Sequence, residues 1–176
     1  IRNWHNHKAR QLKASILRKL NRKEEALELI RESLKIDRFN MGCRFEHYLL
    51  TEDQNLLAEM TGLMRRWEHT FIEYALFGGA GLYDEAILFL ESYLSETRKV
   101  YPMIYYALGY FHACRGEKAH ALDYYRKAEK EDHSYCFPNR IEEVLILQNA
   151  LELNDRAAKA AYSLGNFWYA ARQYDR

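Results

Sequence analysis

Apolar positions recur along this chain at helical spacing, and the recurrence itself repeats. Three segments lie over one another: residues 7–40 (HKARQLKASILRKLNRKEEALELIRESLKIDRFN), 67–100 (WEHTFIEYALFGGAGLYDEAILFLESYLSETRKV) and 102–135 (PMIYYALGYFHACRGEKAHALDYYRKAEKEDHSY). Each reads as an apolar-periodic helix, a short break and a second helix. The breaks fall at Asn21, Gly81 and Gly116. Five positions after each break stands a small residue: Ala26, Ala86 and Ala121. Four positions further stands a larger one: Ile30, Leu90 and Tyr125. Antiparallel helices approach most closely where one contributes a small side chain at the crossing, and the i, i+4 step keeps both residues on one face. Gly109 and Gly165, each after a Leu, would let a first helix approach its neighbour.

The period is irregular. Ala26 to Ala86 is 60 residues, Ala86 to Ala121 is 35 and Gly109 to Gly165 is 56. Beyond one repeat, each long interval leaves room for one or two short extra helices. Residues 41–50 and 54–66 fill the first, and 139–153 fills the second, entered through Phe137-Pro138-Asn139 with Pro near the helix start. The pattern predicts an all-α solenoid of antiparallel helical hairpins, about ten helices, forming one repeat domain over residues 1–176. Stacking is required because a single hairpin cannot bury its apolar face alone.

Composition agrees. Only 2 Pro and 8 Gly among 176 residues suit long helices better than a many-stranded sandwich. No apolar run approaches the ~18 residues of a membrane span. A formal net charge of +1 lacks the basic surplus of most nucleic-acid-binding domains. The charge is unevenly placed. Residues 1–23 hold eight bases and no acid, leaving 18 bases against 25 acids in the remainder. That start is either a solvated basic face or a docking surface for an acidic partner. Three cysteines, Cys43, Cys114 and Cys136, cannot all pair within one chain and have no C-x-x-C spacing, which favours a reducing, cytoplasm-like compartment over a disulfide framework.

The segments resemble tetratricopeptide repeats, with their 34-residue helix–turn–helix unit and W-x2-L-G-x2-Y … A-x3-F … P pattern. The third matches best, through Tyr105, Leu108-Gly109, Gly116, Ala121, Tyr125 and Ala128. Leu164-Gly165, Trp168 and Tyr174 suggest a partial further unit. The pattern's terminal Pro is missing: Arg38, Arg98 and His133 stand near its place. Residues 137–166 are also similar to repeats of certain bacterial multidomain proteins, in which a β-rich, carbohydrate-related domain precedes the repeats. Beginning at Ile1 and ending inside a unit, the chain reads as a piece of a longer protein. Phe167, Trp168 and Tyr169 would then lack a packing partner, and self-association through that end is expected.

Enzymatic chemistry is not expected. There is no G-x-S-x-G, P-loop or H-E-x-x-H pattern. Gly78-Gly79-Ala80-Gly81 reads as an interhelix turn, since no strand precedes it and no Lys-Ser/Thr follows. Glu24-Glu25, Asp84-Glu85 and Glu142-Glu143 sit where acids complement a helix N-terminus. No metal or cofactor is expected. His112 and Cys114, two apart on a helix, point about 200° away from each other, and His133 and Cys136 would have to converge on them. His5-Asn6-His7 reads as a frayed terminus.

Fourteen tyrosines are the most informative feature for function. Leu108 and Gly109 take the packing side of their helix, while Tyr106 and Tyr110 are i, i+4 neighbours on another face. Tyr162 and Asn166 repeat that spacing and Tyr169 continues it. In the tetratricopeptide resemblance, first helices line a concave surface, and these five residues match its ligand-facing positions. Tyrosine offers flat area and a hydroxyl at low entropic cost. The resemblance implies an interaction or scaffolding module that holds a peptide or partner domain in a concave groove. Its alternative is a non-catalytic helical arm of a larger, carbohydrate-active bacterial enzyme.

Overall fold

The computed structural model of the protein describes residues 6–64, 77–96 and 100–175. Nine helices are complete within them: α1 (His7–Lys19), α2 (Lys23–Ile36), α3 (Met41–Thr51), α4 (Gln54–Leu63), α5 (Tyr83–Glu96), α6 (Pro102–Cys114), α7 (Lys118–Lys130), α8 (Ile141–Leu153) and α9 (Ala158–Ala170). Residues 77–79 are helical as well, and no strand occurs among the described residues. The all-α expectation and the short extra helices at 41–51, 54–63 and 141–153 are therefore met. His5 and residues 67–76, the expected first helix of the second repeat, lie outside the described residues.

The chain divides into two compact units, Ile1–Leu76 and Phe77–Arg176. In the first, α1 and α2 form a hairpin, α3 packs on both, and α4 packs on α3. Ala14, Ala26, Ile30, Cys43 and Phe45 are fully buried there. Asn6, Asn40 and Asp53 cap α1, α3 and α4 by accepting from the backbone N–H groups of Ala9, Cys43 and Asn55. Glu46 is also fully buried. It accepts from Ser15 Oγ at 2.8 Å and from Arg18 Nε at 2.7 Å, so its charge is paired and hydrogen-bonded.

In the second unit, α6 pairs with α7, α5 lies on α6, and α8 packs against α6, α7 and α9. Ala86, Leu90, Ala121 and Tyr125 are fully buried, as the repeat spacing requires. Gly109 shows why that position is small. A Cβ there would stand 2.6 Å from Tyr125 Cδ1, closer still to Cε1, and 3.0 Å from the Ala121 carbonyl oxygen.

The breaks share one geometry. Asn21, Gly81 and Gly116 have φ of 57°, 73° and 80°. After each, the next N–H reaches five residues back: Arg22 to Leu17, Leu82 to Phe77 and Glu117 to His112, all at 2.9 Å. This is the left-handed helix ending that satisfies the last carbonyls of a helix. Arg172, at φ 57°, forms the same turn, with Gln173 bonded to the Trp168 carbonyl at 2.9 Å. So α9 ends as the helices before the other three turns do.

Candidate functional site

Helix α6 is largely apolar, and neighbours cover most of it, leaving Tyr105, Tyr110 and Ala113 half-buried and Cys114 exposed. Pro102, Met103, Ile104, Tyr106–Gly109, Phe111 and His112 are buried. Tyr106 is thus a correction to the partner-facing set. It is fully buried, its ring beside Tyr125 at 6.3 Å and edge-on to His133 at 5.9 Å. The i, i+4 step with Tyr110 sets a shared face but not what covers that face. The hydroxyl donates to Glu129 Oε1 at 2.6 Å, and burial, with this bond, pushes its pKa far above the usual phenol value.

Glu129 does more than hold Tyr106. Its oxygens accept from the backbone N–H groups of Lys159 and Ala160, each at 3.0 Å. Ala157, at the N-cap of α9, has no side chain to cap that end. A carboxylate from α7 therefore satisfies two of the open donors of α9 and complements its positive pole.

Tyr110 is half-buried, edge-on to Phe111 at 5.7 Å. Burial pushes its hydroxyl up to about 12. Tyr162 and Tyr169 are 66% and 73% exposed, and Asn166 between them is half-buried. On α9, Tyr162, Gly165, Asn166 and Tyr169 share one face, opposite the buried Ala160 and Ser163. A Cβ at Gly165 would meet nothing within 4 Å. The expected close helix approach at Gly165 is thus absent.

Aligned by their turns, Tyr162 corresponds to Tyr106 and Gly165 to Gly109. On α6 this seat is filled by Ala121 and Tyr125 of α7. On α9 it faces outward, and Tyr174, 68% exposed, packs edge-on against Tyr169 at 5.6 Å.

The basic start of the chain is partly spent internally. Arg10 pairs with Glu32 at 2.9 Å, Arg18 with Glu46, and Arg22 with Glu25 at 2.6 Å. An exposed ion pair such as the last is screened by solvent and adds little to stability.

His112 and His133 find partners other than the cysteines. His133 Nε2 lies 3.0 Å from the Ala128 carbonyl, and its Nδ1 is 3.5 Å from Ser163 Oγ. Cys136 is buried, and burial pushes its thiol up to about 11. His112 Nδ1 lies 2.6 Å from Glu117 Oε2. Among the described residues, His112, Glu117 and His120 bring one ligand atom each within 4.8 Å of one another. Their His-x4-Glu-x2-His spacing spans a helix end, a turn and the next helix start, so periodicity on a single helix does not expose it. No helix among the described residues is long and apolar enough to cross a membrane.

These features define a set of stacked helical hairpins with an open aromatic face on α9. Residues 7–40, the α1–α2 hairpin and its flanks, match the family model of the tetratricopeptide repeat. No curated protein matches the sequence. Among solved structures, the chain is similar to a MamA RS-1 ArsTM double mutant, at 16% identity, 96% of each chain and a TM-score of 0.41. It is also similar to PilF of Pseudomonas aeruginosa, at 17% identity over 96% of this chain and 70% of that one, TM-score 0.35. A third is YrrB, described as a TPR protein with an unusual peptide-binding site, at 15% identity over 97% and 80%, TM-score 0.33. All three TM-scores are below one half, so the fold rests on the chain's own hairpins. None of these similarities bears on a β-rich, carbohydrate-related neighbour of residues 137–166.

Proposed function

We propose that the protein is a protein–protein interaction module whose partner-binding surface is the Tyr162/Gly165/Asn166/Tyr169 face of α9, with Tyr110 as a separate, half-buried contact. One observation carries this reading. Among the described residues, nothing lies against the tyrosine–glycine seat of α9, whereas on α6 the same seat accepts a helix. A glycine in the middle of an exposed helix face costs ~1 kcal/mol relative to alanine unless something approaches it closely. Two exposed tyrosines flanking it offer apolar area with hydroxyls at the rim, the composition of interface anchors.

The occupant this seat fits is an amphipathic helix with a small residue four positions before an aromatic, as in Ala121 and Tyr125 of α7. Helix-in-groove recognition of this kind reads anchors at i, i+3 and i+4 spacing. A second copy of the chain, expected from the sequence to associate through this end, is one source of such a helix.

The test uses a fluorescently labelled, helix-stabilised peptide of residues 117–131. Saturable anisotropy, lost in Gly165→Leu and weakened in Tyr162→Ala with helicity unchanged, is the expected result. No saturation, or equal binding to all three proteins, overturns the assignment. Sedimentation of the same proteins distinguishes a second copy from a foreign helix: a concentration-dependent dimer lost in Gly165→Leu identifies the second copy.

A further inference from the structure

We propose that His112, Glu117 and His120 form a binding site for a borderline divalent transition-metal ion, with Zn2+ as the reference ion, clipping the end of α6 to the start of α7. The site is built from three different local structures. His112 lies in the last turn of α6, Glu117 is the N-cap residue of α7, and His120 is the third residue of α7. The left-handed turn at Gly116 folds Glu117 back over the end of α6, and its N–H bonds to the His112 carbonyl at 2.9 Å.

The distances suit a small ion. Glu117 Oε2 is 2.6 Å from His112 Nδ1 and 3.7 Å from His120 Nδ1. Tetrahedral coordination with bonds of 2.0–2.1 Å separates neighbouring ligand atoms by about 3.3 Å, between these two values. The imidazole rings are 5.4 Å apart, tilted by 60°. Two imidazoles and one carboxylate form a donor set matched to Zn2+, Ni2+ or Cu2+ and poorly matched to Mg2+ or Ca2+. The fourth position is left to solvent, because His120 is exposed.

The surroundings hold the ligands in place. The ring of His112 is buried and stacked on Tyr124 at 5.3 Å and 16°. Its Nε2 is buried with no hydrogen-bond partner among the described atoms, so stacking, not a second hydrogen bond, orients the ring. Arg115 Nη2 binds Glu117 Oε1 at 2.9 Å while its Nη1 reaches Asp84 Oδ1 at 3.1 Å. The guanidinium thus occupies one carboxylate oxygen and leaves the other facing the two imidazoles. Its positive charge beside the site opposes cation binding by Coulomb repulsion.

The experiment is titration of the metal-stripped protein with ZnCl2, read by calorimetry and by the thermal midpoint, in a Cys114→Ser background that removes the exposed thiol. One Zn2+ per chain and a midpoint that rises with Zn2+ concentration are expected. His120→Gln and Glu117→Gln, both at accessible positions, should each weaken binding at least tenfold with circular dichroism unchanged. MgCl2 should leave the midpoint where it is. The proposal is overturned if Zn2+ gives neither heat nor midpoint shift up to about 1 mM. It is equally overturned if both variants bind Zn2+ as the parent does.

Discussion

Gly109 and Gly165 occupy the same place in the repeat pattern, so a sequence argument alone assigns both the same sensitivity to alanine. The structure separates them. At Gly109 the added methyl runs into the Tyr125 ring and the Ala121 backbone. That ring cannot swing away freely, since it is fully buried and its hydroxyl donates to Asn149 Oδ1 at 2.6 Å. Overpacking of this kind costs about 1–3 kcal/mol. Disturbing the Tyr125 hydrogen bond adds about 0.5–1.5 kcal/mol. The better helix propensity of alanine returns about 0.8–1.0 kcal/mol. The net expectation for Gly109→Ala is a loss of roughly 0.5–3.7 kcal/mol. At Gly165 only the propensity gain operates, so Gly165→Ala should stabilise by up to about 1 kcal/mol. Urea unfolding followed by circular dichroism measures both. With a slope of about 1–3 kcal/mol per M, a 2 kcal/mol loss lowers the midpoint by roughly 1 M. A Gly109→Ala protein as stable as the parent would refute the close-approach account of the α6–α7 crossing. A destabilised Gly165→Ala protein would show that the α9 face is already covered in the free protein.

Other consequences can be checked in the same preparation. Tyr106→Phe removes a hydrogen bond to a carboxylate and should cost about 1.5–3 kcal/mol in urea unfolding; a neutral outcome would sink the role given to the Tyr106–Glu129 pair. Iodoacetamide at pH 8, followed by peptide mass mapping, should modify exposed Cys114 first. Cys136 should lag far behind it, because burial both hides the thiol and pushes it up to about 11. Burial also raises the Glu143 carboxyl above its usual value, against the backbone N–H bonds from Asn139 and Arg140. The folded state therefore holds this proton more tightly than the unfolded chain. Its contribution to stability is fully present below the unfolded value of about 4.3 and is lost as pH rises through the folded pKa. Glu143→Gln should flatten the urea midpoint against pH in that window, and an unchanged profile would contradict the assignment.

Much of the fold was legible because helical hairpins encode themselves locally. Break residues able to adopt positive φ, and an alanine five positions later, mark each crossing without knowledge of the rest of the chain. The extra helices were legible from the intervals between crossings. What covers each face was not. Tyr106 and Tyr162 have the same local pattern, yet one is in the core and one in solvent, because α7 lies on the first and nothing described lies on the second. The role of Glu129 is not legible for a similar reason: it caps a helix about 30 positions further on, and no spacing rule connects the two. The His112–Glu117–His120 cluster crosses a turn, where helical periodicity stops and starts again at a different phase.

The Glu129 cap also sets how α9 comes loose. The first turn of an isolated helix is ordinarily among its fastest parts to exchange amide hydrogens, since its N–H groups have no partners within the helix. In α9 the amides of Lys159 and Ala160 are held by a carboxylate rooted in α7, whose other contact is the buried Tyr106 hydroxyl. Held by that carboxylate, the amides of Lys159 and Ala160 should exchange more slowly than those of an uncapped helix start. The amino end of α9 is thus fixed to the core through the Glu129 side chain.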